Sequence, residues 1–187
     1  MTKKICFIHT DTNGLHSCND DVNKKKLYCY ARLVKLSYDI GTFKNNQFHL
    51  EKSQQLIAKP RCMSISDESI KYHGITQKYA DQNGIDPENI LLTFKNDIKN
   101  VNIIVSHSVN FHLKTIIAEA VKYNISLDFN NYIIIDINSF YHSYGLLKLQ
   151  DLAIKVKLKE IKKSSIELIQ DIFFKLYIKF EKSIKTS

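Results

Sequence analysis

Residues 5–15 read ICFIHTDTNGL and decide the centre of the fold. An apolar run that ends in Asp11 and is followed by the turn pair Asn13-Gly14 predicts a buried strand that stops abruptly. The carboxylate of Asp11 then lies at the end of the strand, where the sheet fixes its position and the loop side is open to solvent. Such a carboxylate can bind a metal ion or cap a turn. On this stretch alone the turn is the preferred interpretation, because Asp is a common turn residue.

Length and composition are those of an ordinary globular protein. The chain has 187 residues, of which 44% are hydrophobic and 25% charged, so we expect one folded domain over residues 1–187 and not a disordered chain. The longest apolar run is too short to span a bilayer, and the Lys3-Lys4 start leads into a strand and not into a signal peptide. We therefore expect a cytoplasmic or nuclear protein without a membrane partner.

The cysteine spacing and the net charge say little about the kind of functional site. The cysteines lie far apart without a Cys-x-x-Cys pair, at Cys6, Cys18, Cys29 and Cys62. This spacing favours reduced cysteines over a zinc site. The net charge of +8 and the pI near 9.2 are compatible with binding to a polyanion, but solvated lysines give the same values.

The first half of the chain predicts an antiparallel meander. Apolar and polar residues alternate from Arg32 to Ile40, which predicts a strand with one buried and one solvent-exposed face. The polar stretch from Lys44 to Gln47 predicts a hairpin turn, and Phe48 to Ile57 a third strand. Residues 16–26 and 65–84 are mostly polar, and we expect irregular connections there.

The second half of the chain alternates between helices and buried strands. Helix starts are indicated by the Asp86-Pro87 pair and by the capping box that Ser164 forms with Glu167. Apolar spacing then predicts helix Pro87 to Lys99, strand Val101 to Ser106, a helix from Val109, strand Tyr132 to Ile135, a helix over Leu146 to Val156, and a last helix with an apolar face from Ile169 to Phe180. We therefore predict an α/β fold with a mixed five-stranded sheet, in which a three-strand antiparallel meander joins parallel strands and helices flank the sheet.

Three segments resemble the motifs of a known enzyme family. They are Phe7 to Leu15, the turn Tyr72 to Thr76 with the sequence YHGIT, and Ile104 to His112 with the sequence IVSHSVNFH. In this order they are similar to motifs of the DnaQ-like 3′-to-5′ exonucleases of the DEDD class, which have a ribonuclease-H-like fold. The resemblance covers nearly the whole chain, because Asp136 and the Leu149 to Val156 segment fall where the family has a strand-ending Asp and a Leu-rich helix.

The resemblance implies hydrolysis of phosphodiesters by two Mg²⁺ or Mn²⁺ ions, which converging carboxylates hold. Asp11 matches the first acidic position of the family. The other four positions fall on Asn13, His112, Glu160 and Ser165. An amide is a poorer ligand for Mg²⁺ than a carboxylate, and imidazole suits transition metals better than hard ions. The carboxylate cage of the family is therefore expected to be lost.

Other polar residues near these motifs have structural interpretations. Asp136 is expected to cap the helix that follows it, and His73 and His107 to hold turns by hydrogen bonds. A site for one transition metal, made of Asp11, His112 and Glu160, is the alternative.

These observations favour a catalytically inactive exonuclease-like domain that acts as a nucleic-acid-binding or protein-scaffolding module and needs no cofactor. The expected partner is single-stranded nucleic acid or a protein of a replication or transcription assembly. Lysines that can neutralise phosphates are Lys24, Lys25, Lys26, Lys155, Lys157, Lys159, Lys162 and Lys163. The alternative is an active, divergent 3′-to-5′ exonuclease that uses Mg²⁺ or Mn²⁺ to hydrolyse single-stranded DNA or RNA.

Overall fold

A five-stranded sheet forms the centre of the computed structural model, which describes residues 3–44, 47–144, 147–161 and 163–185, with backbone alone for 141–144 and 179–185. The strands are β1 (Lys4–Thr12), β2 (Leu33–Lys44), β3 (Gln47–Ile57), β4 (Ile103–Ser106) and β5 (Ile133–Asp136). Their order across the sheet is β3-β2-β1-β4-β5. The mixed five-stranded sheet predicted from the sequence is confirmed.

The pairing of the strands decides where polar side chains can meet. β1 pairs antiparallel with β2, and β2 pairs antiparallel with β3, which is the predicted meander. β4 is parallel to both β1 and β5. Because β1, β4 and β5 run in one direction, their carboxyl ends lie at one edge of the sheet, where open α/β sheets bind their ligands. Asp11, Ser106 and Asp136 all lie at this edge.

In the described part of the chain, six α-helices and three short 3-10 helices surround the sheet. The α-helices are α1 (Asp67–His73), α2 (Gln77–Asn83), α3 (Pro87–Asp97), α4 (Val109–Lys122), α5 (Leu149–Lys155) and α6 (Ser165–Lys185), and the 3-10 helices are Lys24–Cys29, Ile98–Asn100 and Ile137–Tyr144. The predicted caps are present: the Asp86 side chain accepts from the amide of Glu88, and the Ser164 amide donates to Glu167.

The central strand β1 is buried on both faces and supplies apolar side chains to two cores. Cys6 and Ile8 belong to a core with α3 and α4, whose members include Phe94 and Ile116. Ile5 and Phe7 belong to a second core with α5 and α6. The ring of Phe7 meets Phe48, Phe173 and Phe174 edge-on at centroid distances of 5.3 to 5.6 Å. Burial on both faces explains why β1 reads as a continuous apolar run.

The prediction of an irregular connection is confirmed for residues 16–23 and wrong for residues 65–84. The 3-10 helix Lys24–Cys29 begins inside the first range, and α1 and α2 occupy the second. Ser66 and Thr76 cap these two helices, with side chains that accept from the amides of Ser69 and Tyr79. Each helix has seven residues and few buried ones, so neither is long enough to show an apolar stripe in the sequence.

The prediction of a solvent-exposed face on β2 is also wrong. Ser37 is buried, and Lys35 and Asp39 are half-buried. Helix α6 lies over this face, where Nε2 of Gln170 donates to Oδ2 of Asp39 over 2.6 Å. The alternation in β2 therefore reflects polar contacts inside the protein and not exposure to water.

Some details of the sequence prediction lie outside the described residues. They are the tip of the hairpin at residues 45–46, Leu146 at the start of a predicted helix, Lys162 and the side chain of Phe180. Among the helices that the structure describes, none is both long and apolar enough to cross a membrane.

Candidate functional site

An open pocket of about 710 Å³ lies at the carboxyl edge of the sheet. The end of β1, helix α1 and the start of α4 form its walls. Its lining residues are His9, Thr10, Asp11, Thr12, Gly14, Leu15, Ser66, Glu68, Ser69, Lys71, Tyr72, His73, His107, Ser108, Phe111 and His112. All three segments that resemble the exonuclease motifs thus meet in one place, and the volume is typical of a ligand site.

The carboxylate of Asp11 is held by two neighbouring basic side chains. Lys35 is directly opposite on β2, and its Nζ lies 2.7 Å from Oδ2 of Asp11. Nε2 of His9 lies 3.3 Å from Oδ1. Burial raises the pKa of Asp11, but the hydrogen bond and charge of His9, together with the Lys35 ammonium, outweigh burial and lower that pKa to about 2. Asp11 is therefore ionised at neutral pH, with the positive charge supplied by the protein itself.

His112, the position that the resemblance matches to the second-motif Asp, is buried against β1. The amide of Thr10 donates to Nδ1 of His112 over 3.0 Å, and Oγ1 of Thr10 lies 2.8 Å from the same nitrogen. Because Nδ1 accepts, the ring proton is on Nε2. Burial, with the nearby charges of His9 and His107, lowers the pKa of His112 well below its ordinary value. His112 is thus a neutral side chain that fastens α4 to β1.

Asn13 faces away from the pocket and closes the loop after β1. Its Oδ1 accepts from the amide of Arg32 over 2.7 Å, and its own amide donates to the Arg32 carbonyl over 3.1 Å. Nδ2 of Asn13 donates to the carbonyl of Ser64 over 3.4 Å. The side-chain amide of Asn13 therefore makes hydrogen bonds with backbone groups, and Asn13 is not among the residues that line the pocket.

The two third-motif positions do not reach the pocket. The side chain of Glu160 is 79% exposed, and its contact is an ion pair of 3.7 Å with Lys163. Ser165 is the first residue of α6 and follows the capping residue Ser164. Of the five positions matched to the family, the structure brings Asp11 and His112 together and leaves the other three outside the pocket.

Asp136 binds backbone amides of two elements. Its Oδ1 accepts from the amides of Ser108 and Asn138, both over 3.0 Å, and its Oδ2 from the amide of Val109 over 2.9 Å. The expected cap of the following 3-10 helix is present, and the sequence did not indicate the additional bonds to the start of α4. These bonds join the carboxyl end of β5 to α4.

Replacement of Asp136 by alanine is expected to lower the free energy of unfolding by about 2 kcal/mol, because three amides at the sheet edge lose their acceptor. Chemical denaturation measures the loss. Asp128→Ala is the matched control, since exposed Asp128 accepts from the amide of Asn130 in its own loop, and a loss below about 1 kcal/mol is expected there. Equal losses in the two variants would contradict the structural role of Asp136.

The two histidines expected to hold turns do so. Nδ1 of His73 accepts from the amide of Ile75 over 3.0 Å, directly after α1. Nε2 of His107 lies 2.7 Å from the carbonyl of Leu147 and so ties the end of β4 to the segment before α5.

The residues present do not fit the two-metal centre of the family. Both carboxylate oxygens of Asp11 face basic side chains, and His112 uses Nδ1 for Thr10. In the part of the chain that the structure describes, no three His, Cys, Asp or Glu side chains are arranged to hold a metal ion. The alternative site made of Asp11, His112 and Glu160 is wrong, because Glu160 lies outside the pocket.

Comparison with known proteins gives matches by structure and not by sequence. No family model matches the chain, and no curated protein is similar to it in sequence. Escherichia coli exonuclease I in complex with a 5cy-dT13 oligonucleotide has a TM-score of 0.73 and 10% identity, over 97% of this chain and 42% of that chain. The chain has the fold of the matched part of exonuclease I. The resemblance to DnaQ-like exonucleases is therefore confirmed at the level of the fold.

Other structures of exonuclease I give the same result. A product-bound form has a TM-score of 0.71 and 11% identity, over 92% of this chain and 42% of that chain. The enzyme of Methylocaldum szegediense has a TM-score of 0.71 and 10% identity, over 93% of this chain and 40% of its own. The chain thus spans about two-fifths of the length of these exonuclease I structures.

Within the exonuclease I fold, sequence reasoning missed Lys35 and His9 as the partners of Asp11. His9 is part of the first motif-like segment. The only sequence signal for its contact with Asp11 is its position two residues earlier, on the same face of β1. Lys35 carried a weaker signal, because its contact with Asp11 depends on the pairing register of β1 and β2. Leu15 and Tyr72, both strongly exposed at the pocket, were also missed as site residues.

The lysines predicted to bind nucleic acid lie away from the pocket, so far as they are described. Lys24 donates to Oδ1 of Asn124 over 3.0 Å, Lys26 pairs with Asp20, and Lys163 lies 2.7 Å from Asp171. Lys25, Lys155, Lys157 and Lys159 are exposed, and Lys162 is outside the described residues. The pocket itself contains Lys71.

Proposed function

We propose that this chain is a catalytically inactive exonuclease-like domain that binds single-stranded nucleic acid without a divalent metal ion. The observation that carries the proposal is the ion pair of Asp11 with Lys35, at 2.7 Å. An ammonium group stands beside the one carboxylate that matches the family, and it supplies the charge that a metal ion supplies in a two-metal nuclease. An ammonium can attract phosphate, but it does not activate water as a metal ion does.

The shape of the pocket supports binding of a flexible strand. Leu15 and Tyr72 line the pocket with side chains that are 85% and 86% exposed, which is unusual for such large apolar groups. Aromatic rings in this position stack on nucleobases without strong sequence preference. Lys71, beside Tyr72, adds a charge that can approach a phosphate. The fold agrees with this assignment, since an exonuclease I structure of the same fold holds a dT13 oligonucleotide.

Binding is tested by fluorescence anisotropy with a labelled 13-nucleotide dT strand in EDTA. We expect a Kd on the order of 10 µM at low salt, with a steep loss of affinity as salt rises. Tyr72→Ala is expected to weaken binding about tenfold through the loss of one stacked base. Tyr79→Ala is the control, because Tyr79 is 50% exposed on α2 but does not line the pocket.

Two results would contradict nucleic-acid binding in the pocket. One is equal affinity of the Tyr72→Ala and Tyr79→Ala variants, and the other is no binding of the unmodified chain at low salt. The second result would favour the protein-scaffolding function instead. Exonuclease I has also been solved as a complex described as ExoI/SSB-Ct, so a protein partner is known for that fold.

The lack of catalysis is tested separately with a 3′-labelled strand in Mg²⁺ and in Mn²⁺. We expect no release of nucleotides above a blank without protein. Turnover that disappears in Asp11→Asn would contradict the proposal and establish the active exonuclease. Turnover that persists in that variant would identify a contaminating nuclease.

A further inference from the structure

Two cysteines lie together beside Ala118 of α4, outside the residues that line the pocket. Cys29 is buried in a small cluster with Tyr30 and Ala118, and Cys18 packs against the same cluster. Cys18 is close enough to Cys29 to raise the pKa of the Cys29 thiol. Eleven positions separate the two residues in sequence, and both are free thiols.

The backbone holds these two cysteines side by side. The amide of Ser17 donates to the carbonyl of Cys29 over 2.8 Å, and Oγ of Ser17 lies 3.3 Å from the same oxygen. The chain before Cys18 is therefore fixed directly against Cys29. The two thiols thus start within one small cluster, and a disulfide forms when their Cα atoms are about 4.4 to 6.8 Å apart with side chains that face each other.

We propose that Cys18 and Cys29 form an intrachain disulfide when the protein meets a peroxide. Cys18 is the half-exposed thiol and reacts first: its thiolate attacks an oxygen of hydrogen peroxide, breaks the O–O bond, releases hydroxide and becomes a sulfenic acid. The thiolate of Cys29 then attacks that sulfur, forms the S–S bond and releases a second hydroxide. Two thiols lose two protons and two electrons, and one peroxide is reduced to two waters.

The other two cysteines are placed differently. Cys6 is fully buried in the sheet, where its Sγ contacts the carbonyl of Phe7 at 3.8 Å. Cys62 is exposed on the loop after β3. Cys62 is therefore the internal control for reactivity that comes from exposure alone.

The disulfide would close a loop that carries the 3-10 helix Lys24–Cys29. This segment includes three consecutive lysines, and Tyr28 within it is 84% exposed. Cys18 and burial raise the pKa of the Cys29 thiol, so the thiolate that closes the disulfide is favoured at higher pH. Oxidation thus fixes a basic, aromatic surface segment at both of its ends.

Tryptic mapping of the full chain tests the disulfide. The protein is treated with hydrogen peroxide, alkylated to block remaining thiols, and digested without reductant. Because trypsin cuts after Lys24, Lys25 and Lys26, between the two cysteines, the expected product is the Ile5–Lys24 peptide joined to the Leu27–Arg32 peptide. Its mass is about 2 Da below the sum of the two free peptides, and reduction separates them.

Three variants identify the bond. Cys18→Ser and Cys29→Ser should abolish the joined peptide, and Cys62→Ser should leave it unchanged. The Cys18→Ser variant also excludes Cys6, which is in the same Ile5–Lys24 peptide. A cross-link to Cys62, or sulfinic acids at Cys18 and Cys29 without any joined peptide, would overturn the proposal.

Discussion

Replacement of Asp11 by alanine is expected to lower the free energy of unfolding by about 3 kcal/mol, because it leaves the half-buried ammonium of Lys35 without its counter-ion. Asp11 is 14% exposed and Lys35 23% exposed, so water screens the pair only in part. If Asp11 were instead a metal ligand, its replacement would raise the free energy of unfolding of the metal-free protein, since removing one of several crowded carboxylates relieves repulsion. The sign of the stability change therefore separates a structural Asp11 from a metal ligand.

A double-mutant cycle with Lys35→Met measures the pair itself. Methionine keeps most of the aliphatic stem of Lys35 and removes the charge. We expect the losses of unfolding free energy in the two single variants to add up to more than the loss in the double variant. The difference, which is the coupling energy, is expected to be about 1 to 2 kcal/mol. Urea denaturation provides the values. Additive losses, or a melting temperature of the unmodified protein that rises with millimolar Mg²⁺, would show that Asp11 has another role.

The acid dependence of stability gives an independent check on Asp11. Its pKa is lowered from 3.8 to about 2 on folding, which corresponds to about 2 kcal/mol of stability at neutral pH. A lowered carboxyl pKa stabilises the protein above the unfolded value, and this contribution is lost as the pH falls through the folded value. Between pH 4 and pH 2, the Asp11→Asn variant should therefore lose less stability than the unmodified protein.

The sequence predicted those parts of the site that depend on residues close to one another in the chain. The apolar run before Asp11 identified β1, and the Ser106 to His112 segment identified a strand followed by a helix, as the structure shows. Local signals suffice there because the strand direction determines where Asp11 lies. The same signals gave the order of the strands in the meander and the parallel β4.

The remaining features depend on contacts between distant segments. The pairing of Lys35 with Asp11 requires the register of two strands, which a turn and a long loop separate. The bonds of Asn13 to Arg32 arise only when the loop closes on β2. Likewise, helices α1 and α2 are stabilised by caps and by packing on Val34, and not by a long amphipathic pattern of their own.

His112→Ala is expected to cost about 4 kcal/mol of unfolding free energy, the largest loss among the site residues, because a cavity and unpaired Thr10 groups remain in the interior. The ring is 4% exposed and packs on His9 at a centroid distance of 4.7 Å. His49→Ala is the control: His49 is exposed on β3, and its replacement is expected to change stability by less than about 0.5 kcal/mol.

The pH dependence of the same variant shows whether His112 is neutral in the folded protein. Its pKa is lower in the folded state, so the unfolded chain binds more protons below the ordinary value near 6.5. Stability should therefore fall from pH 7 to pH 5, and the slope should be shallower in His112→Ala. The pKa values of His16, His73 and His107 are also lowered, so part of the slope remains in the variant. An unchanged slope would mean that His112 is protonated in the fold, with Nδ1 donating and the Thr10 amide left unpaired.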